Sequence, residues 1–148
     1  MSLLRLALYQ PEIAQNVGTL LRLGACLGVP IDIIEPTGFP WNSCKMRRAG
    51  MDYIEIANAT RHQSFDTFFK QKAGRIVLFD VKAQKSHYDC DFLPHDIIMV
   101  GRESCGVPDC VFDICEEKVR IHMVPNVRSL NVAISAAIGI SEAIRQLR

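Results

Sequence analysis

Short apolar runs alternating with helical patterns recur along this chain, and that alternation limits the fold more than any other feature. Leu3–Tyr9, Ile31–Glu35, Arg75–Asp80 and Asp96–Gly101 are short enough for strands and apolar enough to be covered on both faces. Tyr53–Ala57 alternates more weakly and is expected as a further strand, and a β-branched run opening at Val119 with Ile121 as the last. Between the runs, the spacing of Val17, Leu20, Leu21, Ala25 and Leu27 predicts a helix from Ala14, stopped by Gly28-Val29-Pro30. Ser64–Lys72 predicts a second helix, with Ser64 as N-cap and Phe65, Phe68 and Phe69 as core residues, not a base-stacking platform. Asp109–Cys115 reads as one short helix. Leu130–Leu147 reads as a long one, and its small residues (Ala133, Ala136, Ala137, Gly139, Ala143) allow another helix, or a second subunit, to approach closely. The alternation argues for an α/β fold, a mostly parallel sheet flanked by helices.

With 148 residues, no internal repeat and no low-complexity linker, the chain is expected to form one domain, 1–148. No apolar run is long enough to cross a bilayer, and Met1-Ser2-Leu3 leads into a strand pattern with no signal-peptide architecture, so a cytoplasmic location is expected. The six cysteines include no C-x-x-C, and the five-residue spacing of Cys105, Cys110 and Cys115 matches no zinc pattern. Reduced, mostly buried thiols and no metal are expected. A net charge of +1 excludes a uniformly basic binder, so any nucleic-acid partner must meet locally gathered charge. Lys45, Arg47 and Arg48, in a loop or short helix over Trp41–Gly50, are the best phosphate-binding candidates; a solvated basic face fits them equally well.

Three polar clusters sit where a strand gives way to a helix. Val119–Ser135 starts as a strand, breaks at Pro125-Asn126 and becomes helical, with Asn126, Arg128, Ser129 and Asn131 between. Loops of this kind, at the carboxyl ends of strands, hold ligands in α/β proteins, and a helix start offers them free N–H groups. Asn16 and Arg22 form the second cluster, with Arg22 expected one turn along and sharing a site at the amino end of the helix. The third, Gly101–Pro108, satisfies G-x-x-x-x-G, but Val107-Pro108 stands where a phosphate loop needs Lys-Ser/Thr. There is no G-x-G-x-x-G and no G-x-S-x-G, and His62, His87, His95 and His122 are scattered without a nucleophile pattern. These residues by themselves suit a small neutral or cationic ligand cradled by backbone, with an arginine near the reacting centre.

Pro11–Arg22 (P-E-I-x-x-N-x-G-x-x-x-R), Gly101–Pro108 (G-x-E-x-x-G-V-P) and Ile121–Val132 (I-x-M-x-P-x-x-R-S-L-N-V) resemble, in order, the three motifs of the SpoU branch of the SPOUT RNA methyltransferases. Ile34–Phe39, Arg47–Tyr53 and the lack of an added RNA-binding domain resemble its minimal, TrmL-like subgroup. The resemblance implies an S-adenosylmethionine-dependent enzyme, releasing S-adenosylhomocysteine, that methylates the ribose 2′-oxygen of the wobble nucleotide of tRNA. It also implies a homodimer and a C-terminal deep trefoil knot, an exception to unknotted topology. By motif matching, Phe79, Gly101, Ile121, Ser129 and Leu130 would line the donor pocket, and Arg22, with Asn16 and Asn131, would serve the reacting ribose. Lys45, Arg47, Arg48 and Arg128 would meet tRNA, with Lys82 and Lys85 as further candidates, and Glu103 would anchor its loop. His122 and Ser141 depart from the pattern, where relatives carry proline and an aromatic residue. Another tRNA position, ribosomal RNA, or an inactive RNA-binding relative are the competing readings.

Overall fold

The computed structural model describes residues 3–41 and 57–148. Among these residues, six parallel strands form one sheet in the order β3-β2-β1-β5-β4-β6. They are β1 (Arg5–Tyr9), β2 (Ile31–Ile34), β3 (Ala59–His62), β4 (Ile76–Phe79), β5 (Ile97–Val100) and β6 (Glu117–Val119). The helices are α1 (Ala14–Leu27), α2 (Phe65–Gln71), α3 (Asp109–Ile114) and α4 (Val132–Leu147). The expected α/β fold with a mostly parallel sheet is observed.

The two-residue period of the strands sorts the core into two layers. Leu6, Leu8, Ile31, Ile33, Val77, Ile98 and Val100 face α1 and α4. Ala7, Tyr9, Ile34, Ile76, Leu78, Ile97 and Met99 face α2 and α3, where Phe68 and Val111 cover them. Four strands, β2, β4, β5 and all of β1 after Arg5, are therefore buried throughout. Ser64 caps α2 by accepting the amide of Thr67 at 3.1 Å, and Phe65 and Phe69 pack at the edge of the second layer as core residues. Gly28 ends α1 in the left-handed conformation, φ 66°.

Two strands differ from the sequence reading. The stretch Tyr53–Ala57 lies outside the described residues apart from Ala57, which sits in a turn, and the edge strand is Ala59–His62. Its inward group is polar: His62 Nε2 lies 2.9 Å from buried Asp32, which also takes a bidentate pair from Arg5 at 2.8 and 2.9 Å. The last strand ends at Val119 instead of starting there, because its partner β4 ends at Phe79. Beyond it Arg120 makes a single bridge to Ser86, and Ile121–Asn131 is free of strand and helix. α4 begins at Val132, two residues after the expected start, with Asn131 as N-cap.

The five described cysteines are free thiols, but only Cys90 and Cys115 are buried; Cys26, Cys105 and Cys110 are exposed. The expectation of mostly buried thiols is corrected, since three of the five sit on helix surfaces or in the Gly101–Gly106 loop. Burial pushes Cys90 up to about 11 and Cys115 up to about 12, which keeps both as inert thiols. No helix among the described residues is long and apolar enough to cross a membrane.

Two stability predictions arise here. A Cβ on Gly139 of α4 would meet the Phe79 ring at 2.6 Å. Gly139→Ala gains up to ~1 kcal/mol of helix propensity, but overpacking a buried ring costs about 1–3 kcal/mol. A net loss is expected in denaturant unfolding, and a stabilised variant would contradict it. The Glu142 carboxyl is held at about 2, chiefly by hydrogen bonds from Arg145 and Gln146. A lowered folded value stabilises the protein fully above the ordinary 4.5 and loses that contribution as pH falls toward about 2. Glu142→Gln should therefore flatten the acid side of the stability profile in this window, an effect small because the Arg145 partner is exposed.

Candidate active site

Three loops leave the carboxyl edge of the sheet side by side: Gln10–Ile13 after β1, Gly101–Pro108 after β5, and Ile121–Asn131 beyond β6. β1 and β5 are neighbours in the sheet, so the first two loops meet directly. Together with the end of β4 they enclose a cavity of about 580 Å³, a size typical of small-molecule sites. Phe79, Val100, Ile121 and Leu130 make its apolar wall; Asn16, Ser129, Asn131 and Ser135 bring neutral polar groups.

The Gly101–Gly106 loop is closed on itself. Arg102 and Gly106 exchange backbone hydrogen bonds of 3.0 and 2.9 Å, and Arg102 Nε donates to the Gly106 carbonyl at 2.9 Å. Gly106 needs its freedom, with φ at 64°, and a Cβ on Gly101 would lie 2.7 Å from the Gly106 backbone. Gly101 thus lets the two ends of the loop pack backbone against backbone, and Gly106 leaves a space beside Asp80 at the cavity surface.

A hydrogen-bond relay ties the loops together. α1 has no side-chain cap of its own at Ile13. The Glu103 carboxylate takes that place from the neighbouring loop, accepting the Glu12 amide at 2.8 Å, the Ile13 amide at 3.4 Å and Asn16 Nδ2 at 3.3 Å. In return the Glu12 carboxylate accepts the Ser104 amide at 2.9 Å and its hydroxyl at 2.8 Å, which holds the Glu12 carboxyl below its usual range. Asn131 Nδ2 donates to Asn16 Oδ1 at 3.1 Å, and Asn131 Oδ1 accepts the Ala133 and Ile134 amides at 2.8 and 3.3 Å. Asn16 and Asn131, 115 residues apart, are each fixed on two sides.

All five residues expected around a donor line this cavity: Phe79, Gly101, Ile121, Ser129 and Leu130, and so do Asn16 and Asn131. Arg22 does not. Six residues after Asn16 on α1 is about 1.7 turns, so the expected one-turn placement beside Asn16 is corrected: Arg22 lies on the exposed face of α1 and not in the cavity lining. Arg128 is exposed and outside the lining; Lys45, Arg47 and Arg48 lie outside the described residues. Lys82 lines the cavity and Lys85 does not, pairing with Glu117 at 3.2 Å. Sequence reasoning missed Asp80 and the Glu12–Ser104 brace. Asp80 could have been found, because it ends a strand whose carboxyl edge was already the expected ligand side.

The model of the SpoU rRNA methylase family matches residues 3–141. The chain belongs to this family. Among relatives of this SpoU-family chain, the tRNA (cytidine(34)-2′-O)-methyltransferase of Beijerinckia indica is 50% identical over 96% of this chain and 91% of its own. The Escherichia coli protein of the same name is 37% identical over 98% and 94%. A solved structure described as giving structural insights into the 2-OH methylation of C/U34 on tRNA superposes with a TM-score of 0.90 at 38% identity, covering 97% of this chain and 95% of that one.

Proposed function

We propose that the chain is an S-adenosylmethionine-dependent methyltransferase that modifies the ribose 2′-oxygen of nucleotide 34, the wobble position, of tRNA. The observation that carries this reading is the convergence of the three motif loops on one cavity, in a chain 50% identical along nearly its full length to a tRNA (cytidine(34)-2′-O)-methyltransferase. The family model's own description names ribosomal RNA; the high-coverage relatives favour tRNA over it.

The cavity fits the donor. It offers an apolar wall for a purine and, at Gly106, a cradle that a Cβ would fill. Phe79, Gly101, Ile121, Ser129 and Leu130 would hold the molecule. When bound, it would supply an electrophilic methyl carbon on sulfonium sulfur, and the sulfur would leave as a neutral thioether without help from a metal. The chain's task is then to align the ribose oxygen and to ease loss of its proton. Asn16 and Asn131, locked by their relay, position the ribose. Arg22 orients the 2′-hydroxyl and favours its developing negative charge; a guanidinium stays protonated, so the proton itself leaves to a phosphate of the tRNA.

Arg22 serves this role in a homodimer, where the exposed face of α1 meets a second copy. The C-terminal segment is threaded as a trefoil knot. Support comes from the way residues 85–92 grip the chain beyond β6: Arg120 and the 85–87 backbone exchange bonds of 2.9 and 2.8 Å, and Gln146 of α4 bonds Cys90 and Phe92 at 3.1 and 3.0 Å. The unit is one domain, 1–148, working in the cytoplasm.

Incubating the protein with donor and tRNA, then sequencing nuclease fragments by mass spectrometry, should place one methyl on ribose 34. A methyl elsewhere, or on ribosomal RNA only, would overturn the reading. Lys45, Arg47, Arg48 and Arg128 are assigned to tRNA phosphates. Arg48→Ala is expected to weaken tRNA binding several-fold and to lower the slope of log affinity against log salt by about one; an unchanged slope in filter-binding titrations would refute the assignment.

A further inference from the structure

We propose that Asp80 accepts the ribose hydroxyls of the adenosyl group bound in the three-loop cavity. The inference rests on the reading that this cavity takes S-adenosylmethionine. Asp80 follows Phe79 at the carboxyl end of β4 and lines the cavity. One carboxylate oxygen, Oδ1, accepts the Lys82 amide at 2.8 Å, which fixes the orientation of the group. The other, Oδ2, accepts no hydrogen bond among the described residues and lies 3.0 Å from where a Cβ on Gly106 would stand. It therefore faces the space that Gly106 keeps open at the cavity surface.

The remaining charged groups of the wall are already engaged. Glu103 holds the start of α1, and Arg102 holds the Gly106 carbonyl with its guanidinium 5.6 Å from the centre of the Tyr9 ring. The Lys82 ammonium turns to Asp109 at 3.6 Å and to the Phe112 ring at 5.3 Å, so it does not neutralise Asp80. What is left is a fixed carboxylate oxygen that can only accept, beside an apolar wall suited to a purine. A vicinal diol supplies two O–H donors next to such a purine, and carboxylates at strand ends hold ribose hydroxyls in this way in other α/β folds. Bonds of this kind are charge-assisted and among the stronger neutral-to-ion contacts.

The test is calorimetric titration of the full chain with S-adenosylmethionine, S-adenosylhomocysteine and the 2′- and 3′-deoxyribose forms of the latter, with melting curves of each variant. Asp80→Ala is expected to weaken the first two ligands by the same factor, about ten-fold or more. At least one deoxy form should lose a similar factor on the wild type and almost nothing further on Asp80→Ala. Asp80→Asn keeps an oxygen for the Lys82 amide, so it should melt like the wild type and still bind more weakly. Unchanged affinities, additive losses, or a loss confined to the sulfonium ligand would each overturn the role, the last by showing that the carboxylate senses charge instead of hydroxyls. A wild type that binds neither parent ligand overturns the reading of the cavity, and this inference with it.

Discussion

Asn131→Asp is expected to leave the fold intact and to remove most of the methyl transfer. Aspartate is as good an N-cap as asparagine, so the acceptor for the Ala133 and Ile134 amides survives and α4 keeps its start. What vanishes is the donor to Asn16 Oδ1. A carboxylate oxygen then faces the Asn16 carbonyl oxygen, and the two repel. Among the described residues, Asn16 is held on its other side by Glu103 alone, at 3.3 Å, so it turns away from its present position. Misplacement of a positioning group by an ångström costs on the order of 100-fold in rate. The expected result is a single-turnover rate down about 100-fold, with the melting temperature within a few degrees of the wild type. Asn131→Ala should lose the same activity and, in addition, about 1 kcal/mol of stability through the missing cap. A variant Asn131→Asp with wild-type rate would show that the Asn16–Asn131 bond has no part in catalysis.

Gly101→Ala should damage the fold and the cavity together. The added Cβ would stand 2.7, 2.8 and 3.1 Å from the carbonyl carbon, Cα and oxygen of Gly106. Those are backbone atoms, pinned by the exchange of hydrogen bonds with Arg102, and no side chain can rotate out of the way. The loop must open, at the cost of one or both Arg102–Gly106 bonds, each worth about 1 kcal/mol, plus the strain that remains. A destabilisation of about 2–4 kcal/mol in urea unfolding is expected. Binding of S-adenosylhomocysteine should fall at least 100-fold, because the opened loop no longer holds its backbone at the cavity wall. Gly139→Ala, whose collision is with a movable ring, should be milder on both counts.

The strands that could be read from the sequence are those buried on both faces. Ile31–Ile34, Ile76–Phe79 and Ile97–Val100 are unbroken apolar runs because helices cover the sheet on either side. β3 escaped because Thr60 and Arg61 are exposed at the sheet edge and its buried residue, His62, is partnered by Asp32 instead of by apolar neighbours. β6 escaped because it opens on Glu117, half-buried beside Arg75 and Lys85, and on Lys118, whose ammonium lies 5.3 Å from the centre of the Phe112 ring, and periodicity has no means of anticipating such pairs.

The candidate site was legible in outline and not in geometry. Three polar clusters at strand-to-helix joints pointed to a ligand, and the three motif stretches contain most of the residues that line the cavity. The brace between Glu12 and Ser104 and the capping of α1 by Glu103 link residues about 90 positions apart, and only the order of strands in the sheet brings them together. Arg22 is a different case: its place on the same helix suggested nearness to Asn16, whereas six residues of helical phase carry it off the wall formed by its own chain.

A crystal structure of the protein with S-adenosylhomocysteine tests most directly whether the space bounded by the three loops is the donor site. The ligand is expected against Phe79, Gly101, Ile121, Ser129 and Leu130, with its ribose toward Asp80. A ligand bound elsewhere on the chain, or loops that close over an empty cavity at saturating concentration, would contradict that assignment.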